Sequence, residues 1–330
     1  MNPFLTSIRR FAGMAAACAA LCAPAVAAAA QPWPAQPLRL IVAYPPGGVS
    51  DIVARALADE LTGPLGVPVI VENRAGAAGS VGMEAVSKAA PDGYTVGFSA
   101  ISPLTLTPHL RQVSYRAPGA IVPVVGVMYS PVALLGTPAF PGKTLADAIA
   151  QAKAQPGALR WSTSGVASVG HITLEQFKRG AGVDITHIPY KGGGQQQNDA
   201  LAGQFELLTT NLGPALTEHI RAGKLRPLAV GAPKRVDALP DVPTFAEAGY
   251  PKANLMSVFG IFAPGGTPDD VVQRLNKEIN AVLARPDFQK RLADSGNSPL
   301  GGSPAEFAEL VRNESDNNRA IIEQAAIRPE

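Results

Sequence analysis

The stretch LRLIVAYPPGGVSDIVARALADEL, residues 38–61, joins an apolar run to a helical pattern through two prolines and two glycines. Leu38–Ala43 is rich in residues that favour β-strands. After Asp51 the apolar residues recur with helical spacing, which places them on one face of a helix. A strand, a tight turn and an amphipathic helix in this order predict a βα unit.

The same alternation of β-rich runs and helical periods continues along the chain and predicts an α/β fold with mostly parallel sheets. The predicted strands are Leu38–Ala43, Val67–Glu72, Tyr94–Ser99, Ile121–Val127, Val132–Leu135, Leu159–Ser162, Ile185–Ile188, Phe205–Thr209, Arg226–Gly231 and Val258–Ala263. Thr267 is the predicted cap of a helix that begins with Pro268 and two acidic residues. Capping boxes are predicted at Thr244–Glu247 and Ser303–Glu306.

The first 30 residues have the pattern of a secretory signal peptide. Arg9 and Arg10 give a positive start, Phe11–Val26 forms an alanine-rich apolar core, and small residues from Ala25 to Ala30 offer cleavage sites. We therefore expect export to the periplasm, by the general secretory or the twin-arginine route. A membrane anchor is the alternative, but the apolar run is shorter than the ~20 residues that span a bilayer.

Both cysteines, Cys18 and Cys22, lie inside this leader, where a lipoprotein anchor is a further alternative. The mature protein would then contain no disulfide, no thiol nucleophile and no thiolate metal site. Once the two leader arginines are removed, 26 basic residues face 26 acidic residues. This balance argues against a nucleic-acid partner.

The length of the mature chain, about 300 residues, exceeds what one hydrophobic core usually covers, so we expect two lobes. Two apolar stretches are predicted to cross between the lobes, namely Ile121–Leu135, broken at Tyr129-Ser130-Pro131, and Asn254–Pro264. The expected division is a cleaved signal peptide at 1–30, a first lobe made of 31–128 and 259–330, and a second lobe at 129–258. Two such crossings are typical of a hinged binding protein.

The loop Tyr44–Asp51 lies between a predicted strand and a predicted helix and contains Gly47 and Gly48. Residues without a Cβ let the backbone turn tightly and approach a ligand. The first N–H groups of a helix have no intrahelical partner and favour an anion. Ser50 or Asp51 is the expected helix cap. An ordinary strand-to-helix turn is the alternative, whereas a phosphate loop would need a following Gly-Lys-Ser/Thr.

Two other patterns do not predict a cofactor or metal site. In Glu72–Gly82 the glycines are three residues apart, unlike a dinucleotide fingerprint, so we expect a loop followed by a close-packed helix. The four histidines, His109, His171, His187 and His219, show no paired spacing. We therefore expect neither a cofactor nor a bound metal.

The segment Ser162–His171 follows a predicted strand and precedes a helix. Its hydroxyls and exposed N–H groups predict a second site for an anion. A serine hydrolase using Ser164 or Ser168 with His171 is the alternative, but no Gly-x-Ser-x-Gly elbow occurs in the chain, so we do not expect an enzyme. His171, in the first helical turn, is expected to be a structural hydrogen-bonding residue.

A fourth segment, Ile188–Gly194, places Lys191 and three glycines directly after a predicted strand. It could face a ligand, or it could form a mobile turn. The residues alone leave both possibilities open.

Taken together, these segments resemble one family, the Bug-type solute-binding receptors of tripartite tricarboxylate transport systems. The landmarks run in order from about residue 36 to the C-terminus, and their joint order is what makes the resemblance specific. They are Pro46-Gly47-Gly48-x-x-Asp51, Val71-Glu72-Asn73-Arg74-x-Gly76-Ala77-x-Gly79, Pro91-Asp92-Gly93-Tyr94-Thr95, Pro189-Tyr190-Lys191-Gly192, Leu239-Pro240-Asp241-Val242-Pro243-Thr244, Glu247-Ala248-Gly249 and Ala263-Pro264-x-x-Thr267-Pro268.

The resemblance implies an α/β, type II periplasmic-binding-protein fold, with two lobes and a ligand cleft between them. In such receptors, ligand carboxylates are held mainly by backbone N–H groups, hydroxyls and ordered water, usually without a dedicated arginine. The expected ligand-binding residues are Pro46, Gly47, Gly48, Ser50, Asp51, Ser164, Gly165, Val166, Ala167, Ser168, His171, Lys191 and Asn211.

This chain departs from the family pattern at two positions. The family commonly has Gly-x-Gly-Ser in the second loop, where Ala167 replaces the second glycine. It also commonly has an aromatic residue where Val258 stands, although Phe259 follows. Both departures concern the identity of the ligand more than the fold.

The function implied is that of a periplasmic solute-binding protein, working as a monomer, that captures a small carboxylate. It would deliver the ligand to the membrane subunits of a tripartite tricarboxylate transporter. The alternative is a ligand-sensing subunit for a membrane histidine kinase. The small polar side chains of the expected site suit tricarboxylates, dicarboxylates, amino acids and aromatic acids alike.

Overall fold

A mixed β-sheet of ten strands organises the part of the chain that the structure, a computed structural model, describes, residues 33–325. The predicted signal peptide and both cysteines lie outside the described residues. The strands are β1 Leu38–Val42, β2 Val69–Asn73, β3 Thr95–Ala100, β4 Ile121–Gly136, β5 Arg160–Thr163, β6 Thr186–Pro189, β7 Leu207–Asn211, β8 Arg226–Gly231, β9 Met256–Pro264 and β10 Ser298–Gly301.

Helices connect most of these strands and pack on both sides of the sheet. They are α1 Val49–Leu65, α2 Ser80–Ser87, α3 Ser102–Thr105, α4 Thr107–Leu110, α5 Leu145–Ala154, α6 Val169–Ala181, α7 Gly193–Leu201, α8 Pro214–Arg221, α9 Asp269–Leu283, α10 Pro286–Ala293 and α11 Pro304–Ala325. Eight of the ten predicted strands match observed strands to within a few residues, and the other two, Ile121–Val127 and Val132–Leu135, are the two halves of the single strand β4. The short strand β10 was not predicted.

The order of strands places two long strands at the centre. Along the sheet the order is β2-β1-β3-β9-β4-β7-β5-β6, with β8 and β10 also paired to β4. Strands β1, β2 and β3 therefore lie beyond β9, and strands β5, β6 and β7 lie beyond β4. The predicted lobe boundaries near residues 129 and 258 fall within β4 and β9, and that division stays a prediction.

The expectation of mostly parallel sheets is wrong for the central strands. The outer pairs β1–β2, β1–β3, β5–β6 and β5–β7 are parallel, as βα units require. All pairs made by β4 and β9 are antiparallel. The long strands β4 and β9 thus join two groups of parallel strands into one mixed sheet.

Strand β4 is continuous through Tyr129-Ser130-Pro131, where the sequence predicts a break. Its pairing with β9 ends at Pro131, opposite Met256, and its pairing with β7 and β8 begins at Val132. The proline, which has no N–H to donate, therefore stands where the strand changes partners. One strand of 16 residues runs through both halves of the sheet.

Two predicted caps are confirmed in their hydrogen bonds and one is wrong. Ser303 and Glu306 form the reciprocal bonds of a capping box at the start of α11. Thr244 and Glu247 form the same bonds, but on a turn and not on a helix. Thr267 does not cap α9, because its hydroxyl donates to the carbonyl of Pro264, 2.8 Å away, and Pro268 occupies the cap position.

Separate apolar clusters stabilise the two ends of the sheet. One contains the tilted pair Trp161 and Phe177 together with Phe245. Another contains Met83 and Phe262, and the ring of Phe262 packs against Phe307 of α11. Within residues 33–325, no helix has the length and apolar character that crossing a membrane requires.

Candidate functional site

The first loop of the candidate site carries the chain from β1 into α1. Gly47 has φ +83°, which favours glycine, and Gly48 is the N-cap residue of the helix in an extended conformation. No side chain caps this end. Because first-turn N–H groups have no intrahelical acceptor, those of Val49 and Ser50 are available to a ligand at the helix start.

Asp51 holds this loop in shape instead of capping the helix, which corrects the expectation that Ser50 or Asp51 would be the cap. Its carboxylate accepts from the Gly47 backbone nitrogen at 3.1 Å, from Asn73 Nδ2 at 2.8 Å and from Arg55 Nε at 3.0 Å. Burial alone would raise the pKa of Asp51, but the bonds from Arg55, Asn73 and Gly47 hold it below its ordinary value. The carboxylate is therefore charged and already paired.

The second loop carries the chain from β5 into α6. Ser168 is the N-cap residue, and its Oγ accepts from the backbone nitrogen of His171 at 3.2 Å. The N–H groups of Val169 and Gly170 begin this helix and, like those of α1, have no intrahelical acceptor. Ala167 has φ +63°, a left-handed conformation in which glycine is favoured. The glycine that the family commonly has at this position thus fits the observed backbone.

Behind the second loop, two histidines that are 16 positions apart in the sequence stack ring on ring. The ring centroids of His171 and His187 lie 4.5 Å apart at an interplanar angle of 11°. His171 Nδ1 accepts from the backbone nitrogen of Ala167, and His187 Nε2 lies 2.7 Å from Thr163 Oγ1. Burial lowers the pKa of His187 to about 3, so this ring is neutral at ordinary pH. The pair supports the loop, as predicted for His171.

No metal cluster accompanies these histidines. Among residues 33–325, no group of three or more His, Cys, Asp or Glu side chains could hold a metal ion.

Asn211, at the end of β7, contacts both central strands. Its Nδ2 donates to the Ser130 carbonyl oxygen in β4 at 3.1 Å, and its Oδ1 accepts from Ser257 Oγ in β9 at 3.3 Å. Nearby, the fully buried Gln196 donates to Ser162 Oγ and to the carbonyl of Thr209. These bonds fix the strand ends that face the two loops.

The two loops and these strand ends enclose one cavity of ≈ 40 Å³. Its lining contains no Asp, Glu, Lys, Arg or His side chain. The lining residues are Tyr44, Pro45, Gly48, Val49, Ser50, Ala78, Ala100, Ser102, Val132, Ser164, Ser168, Val169, Gly170, Gly193, Gln197, Thr209, Thr210, Asn211, Ser257 and Phe259. An anion in this cavity would be held by backbone N–H groups, hydroxyls and amides alone.

Aromatic rings form one wall of the cavity. Tyr44 and Phe259 meet edge to face with centroids 6.1 Å apart. A Cβ at Gly79 would lie 2.9 Å from Tyr44 Oη, so the absence of a side chain there admits the tyrosine ring. Burial raises the pKa of Tyr44, which keeps its hydroxyl protonated. Phe259 faces the cavity while Val258 packs in a core cluster, so the aromatic contribution comes from the residue after Val258.

The structure brings five of the expected site residues to this cavity. They are Gly48, Ser50, Ser164, Ser168 and Asn211. A smaller group lines an adjoining cavity of ≈ 240 Å³, namely Gly165, Val166, Ala167 and Lys191. Pro46, Gly47, Asp51 and His171 line neither cavity. Which of these residues touch a ligand stays a prediction.

Several cavity residues were not predicted from the sequence. Ser102, Gln197, Thr210 and Ser257 belong to four different elements without a recognisable motif. Ser257 and Phe259 could have been found, because alternate residues of a strand face the same side and both belong to one predicted crossing.

In the close-packed segment Gly76–Gly82, the expectation of a loop and a packed helix is confirmed. A Cβ at Gly82, on α2, would lie 2.6 Å from Ala43 Cα. Only glycine lets this helix approach strand β1 so closely. The approach brings Ala78, which precedes α2, to the wall of the cavity.

Comparison with known proteins places these features in one family. The sequence model of the family described as "Tripartite tricarboxylate transporter family receptor" matches residues 53–327. The chain is 35% identical to Protein BugT of Bordetella pertussis over 322 residues, which cover 97% of this chain and 98% of that protein.

Solved structures share the fold. The periplasmic binding protein BugD superposes with a TM-score of 0.84 at 29% identity, over 90% of this chain and 100% of BugD. The R. palustris protein Rpa4515, solved with adipate, superposes with a TM-score of 0.85 at 34% identity, over 90% of this chain and 100% of that chain. The fold is accordingly the type II periplasmic-binding fold, with two lobes and a cleft between them.

Proposed function

The chain belongs to the tripartite tricarboxylate transporter receptor family, and from this premise we propose that its ligand is a small carboxylate bound in the neutral cavity. The receptor would present this ligand to the membrane subunits of its transporter from the periplasm. The proposal includes export through cleavage of residues 1–30 and a monomeric receptor with no cofactor and no catalytic step.

One observation carries the proposal: two helix starts from opposite halves of the sheet, at Val49 and Val169, open into one cavity without charged side chains. Hydrogen bonds to a charged group contribute about 1.5–3 kcal/mol each. The partial positive charge of each helix end adds about 0.3–1 kcal/mol. Together they favour an anion without any ion pair.

We propose that the ligand binds between the two expected lobes and that it closes them. The first lobe comprises residues 31–128 and 259–330, and the second comprises residues 129–258. Contacts between the first loop and the segment that leads from β6 into α7 support this. A Cβ at Gly194 would lie 2.6 Å from the Pro46 carbonyl oxygen, and a Cβ at Gly192 would clash with the ring of Pro45. Such close approach of the two segments is what a closed cleft requires, and a ligand touching both sides would favour that state.

Two alternatives use the same site. A sensory subunit would bind the same ligand and report it to a membrane histidine kinase. A serine hydrolase would use Ser164 or Ser168 with His171, but Ser168 Oγ accepts a hydrogen bond from the backbone nitrogen of His171 and not from its ring. That geometry supports a capping role and not a nucleophile, and hydrolysis of a generic ester by the purified protein would count against a pure receptor.

The deciding experiment starts from native mass spectrometry of freshly purified protein, which identifies a co-purified acid. Calorimetry then compares that acid with its analogue in which one carboxylate is a neutral amide. We expect at least a tenfold loss of affinity, since about 1.4 kcal/mol corresponds to a factor of ten. Equal affinities would refute binding through the carboxylate.

Variants locate the site. Gly48→Val adds a branched side chain at the first helix start, and Ser168→Asp adds a like charge at the second, so both should weaken binding. Gln155→Glu adds the same charge at the exposed end of α5, outside the cavity lining, and serves as the control. Binding that survives both site variants unchanged would place the carboxylate elsewhere.

A further inference from the structure

Ala167, in the second loop, combines a strained backbone with a buried side chain. Its φ of +63° lies in the left-handed region that favours glycine, yet the residue is only 1% exposed. The family commonly has glycine here, so this chain carries a methyl group where the backbone disfavours one. Strained residues at a binding site persist where the surrounding structure holds them. The contacts of this methyl group therefore indicate what the strain supports.

The methyl group of Ala167 belongs to an apolar cluster that draws on both expected lobes. We call it the bridging cluster, and its buried members are Leu106, Leu110, Ala167, Ile172 and Ile322. Leu106, Leu110 and Ile322 come from the first expected lobe. Ala167 and Ile172 come from the second. The bridging cluster therefore lies where the two lobes meet.

The first-lobe side of the bridging cluster is held together by the C-terminal helix α11. Asn318 Nδ2 donates to Thr105 Oγ1 at 3.1 Å, and both side chains are buried. Ile322 follows Asn318 by one helical turn and therefore lies on the same face of α11. This bond fixes the helix against the segment that supplies Leu106 and Leu110, so the first lobe offers a preformed apolar surface.

The second-lobe side of the bridging cluster is part of the second loop itself. The backbone nitrogen of Ala167 donates to His171 Nδ1 at 3.3 Å, and the next residue, Ser168, is the N-cap of α6. Ile172 lies near the start of the same helix. Ala167 and Leu110 also line the same adjoining cavity of ≈ 240 Å³. Packing at Ala167 therefore bears directly on the position of the helix start that opens into the neutral cavity.

We propose that Ala167 is a positioning residue for ligand binding, whose methyl group ties the second loop to the first lobe when the lobes close. This inference rests on the proposed function. In the open protein the strain at Ala167 remains while its contacts with the first lobe are lost. In the closed protein those contacts are regained. The residue thus lowers the stability of the unliganded receptor and favours the closed, liganded state.

The proposal predicts that one substitution changes stability and affinity in opposite directions. Ala167→Gly removes the strain, so the unliganded protein should become more stable. It also removes the methyl group from the bridging cluster, so a ligand should bind less tightly. We expect the affinity to fall about threefold to fivefold, which corresponds to about 0.7–1 kcal/mol and matches the burial of one methyl group. A purely structural role would not separate the two quantities in this way.

The test is calorimetry with citrate, succinate, glutamate and benzoate, continued with the acid that wild type binds most tightly, beside urea titration of the unliganded protein. Ala148→Gly is the matched control. Ala148 is fully buried on α5, in a cluster whose members all lie in the second expected lobe. The control loses the same methyl group, and glycine is unfavourable within a helix, so it should lower stability and leave the affinity unchanged.

A double-mutant cycle separates the contacts of the methyl group from the greater backbone freedom of glycine. Leu110→Ala removes a first-lobe side chain from the bridging cluster, and in its background Ala167→Gly should weaken binding less than in wild type. Equal losses in both backgrounds would assign the effect to the loop backbone and overturn the inference. Ile322→Val, which removes a single methylene group, repeats the cycle with a smaller disturbance of the fold.

Two other outcomes would contradict the inference, each with its own meaning. If an acid binds and Ala167→Gly keeps the wild-type affinity, the bridging cluster has no part in binding and only the inference is overturned. If the wild-type protein binds none of the named acids, the proposed function fails and the inference fails with it.

Discussion

Asn211 Nδ2 donates to the carbonyl oxygen of Ser130 over 3.1 Å, and this bond ties the end of β7 to the middle of the longest strand. Ser130 is fully buried. Its carbonyl would lose this donor without access to water if Asn211 were replaced, and an unsatisfied buried acceptor costs about 1–3 kcal/mol. We therefore expect Asn211→Leu to lower the free energy of unfolding by about that amount, measured by urea titration.

Ser257→Ala is the matched control for this bond. It removes the 3.3 Å contact to Asn211 Oδ1 but leaves the bond to Ser130 in place. Its loss of stability should be the smaller of the two. Equal losses would mean that the Ser130 bond has no special part in stability.

A second prediction concerns the contact between the first loop and the start of α7. In Gly194→Ala the new Cβ would meet the Pro46 carbonyl oxygen at 2.6 Å, so the first loop and the start of α7 must separate. We expect weaker ligand binding and, by small-angle scattering, a larger radius of gyration at saturating ligand than in wild type. Gly63→Ala adds the same atom on α1 where nothing lies within 4 Å, and it should leave both quantities unchanged.

The third prediction concerns the strained backbone at Ala167, with φ +63°. A left-handed conformation costs a residue with a Cβ about 1–2 kcal/mol. Glycine avoids this cost, but its more flexible unfolded chain loses more conformational entropy on folding, which offsets part of the gain. Ala167→Gly should therefore raise the free energy of unfolding by about 0.5–1 kcal/mol. Ala150→Gly, on the exposed face of α5, should lower it by about as much, since glycine is unfavourable within a helix.

The fourth prediction follows from the neutral ring of His187. Burial lowers its folded pKa from 6.5 to about 3, with further contributions from His171 and Lys178. The unfolded chain thus takes up a proton below pH 6.5 that the folded protein does not bind, and stability falls as the pH falls from 6.5 towards 3. One such group can remove up to about 2 kcal/mol between pH 6.5 and 4.5.

Denaturant titrations of wild type and His187→Gln over this pH range measure the effect. The variant should show a shallower decline in the free energy of unfolding, while His219→Gln, outside the histidine pair, should follow wild type. Parallel curves for all three proteins would show that His187 is not the group responsible. Below about pH 4, carboxylates such as Asp51, whose pKa is lowered in the fold, add a decline of their own.

The sequence predicted the positions of the strands and helices better than it predicted how the strands pair. Hydrophobic period and turn residues are local, and they located β1, β8 and α1 closely. The direction of β4 and β9 relative to their neighbours depends on contacts distant in sequence, which no local pattern records. Pro131 illustrates the difficulty, because a proline that usually ends a strand here falls where one pairing ends and the next begins.

The site shows the same limit. The glycine and hydroxyl loops were visible because a tight turn before a helix needs particular residues at adjacent positions. Gln197 and Ser102 reach the cavity only through the packing of their helices. The stacking of His171 on His187 was also hidden, since His171 lies on α6 and His187 on β6, and their spacing in the sequence is not typical of a pair.

The absence of charged side chains from the cavity lining has a consequence for how this receptor can change. Backbone N–H groups at Val49 and Val169 are present whatever side chain those positions encode, proline excepted. If these groups hold the ligand as proposed, mutation can reshape the walls around Tyr44, Gln197 or Phe259 while anion binding persists. Affinity for a carboxylate and selectivity among carboxylates would then depend on different parts of the site. A duplicated gene could therefore change its ligand without passing through a receptor that binds no ligand.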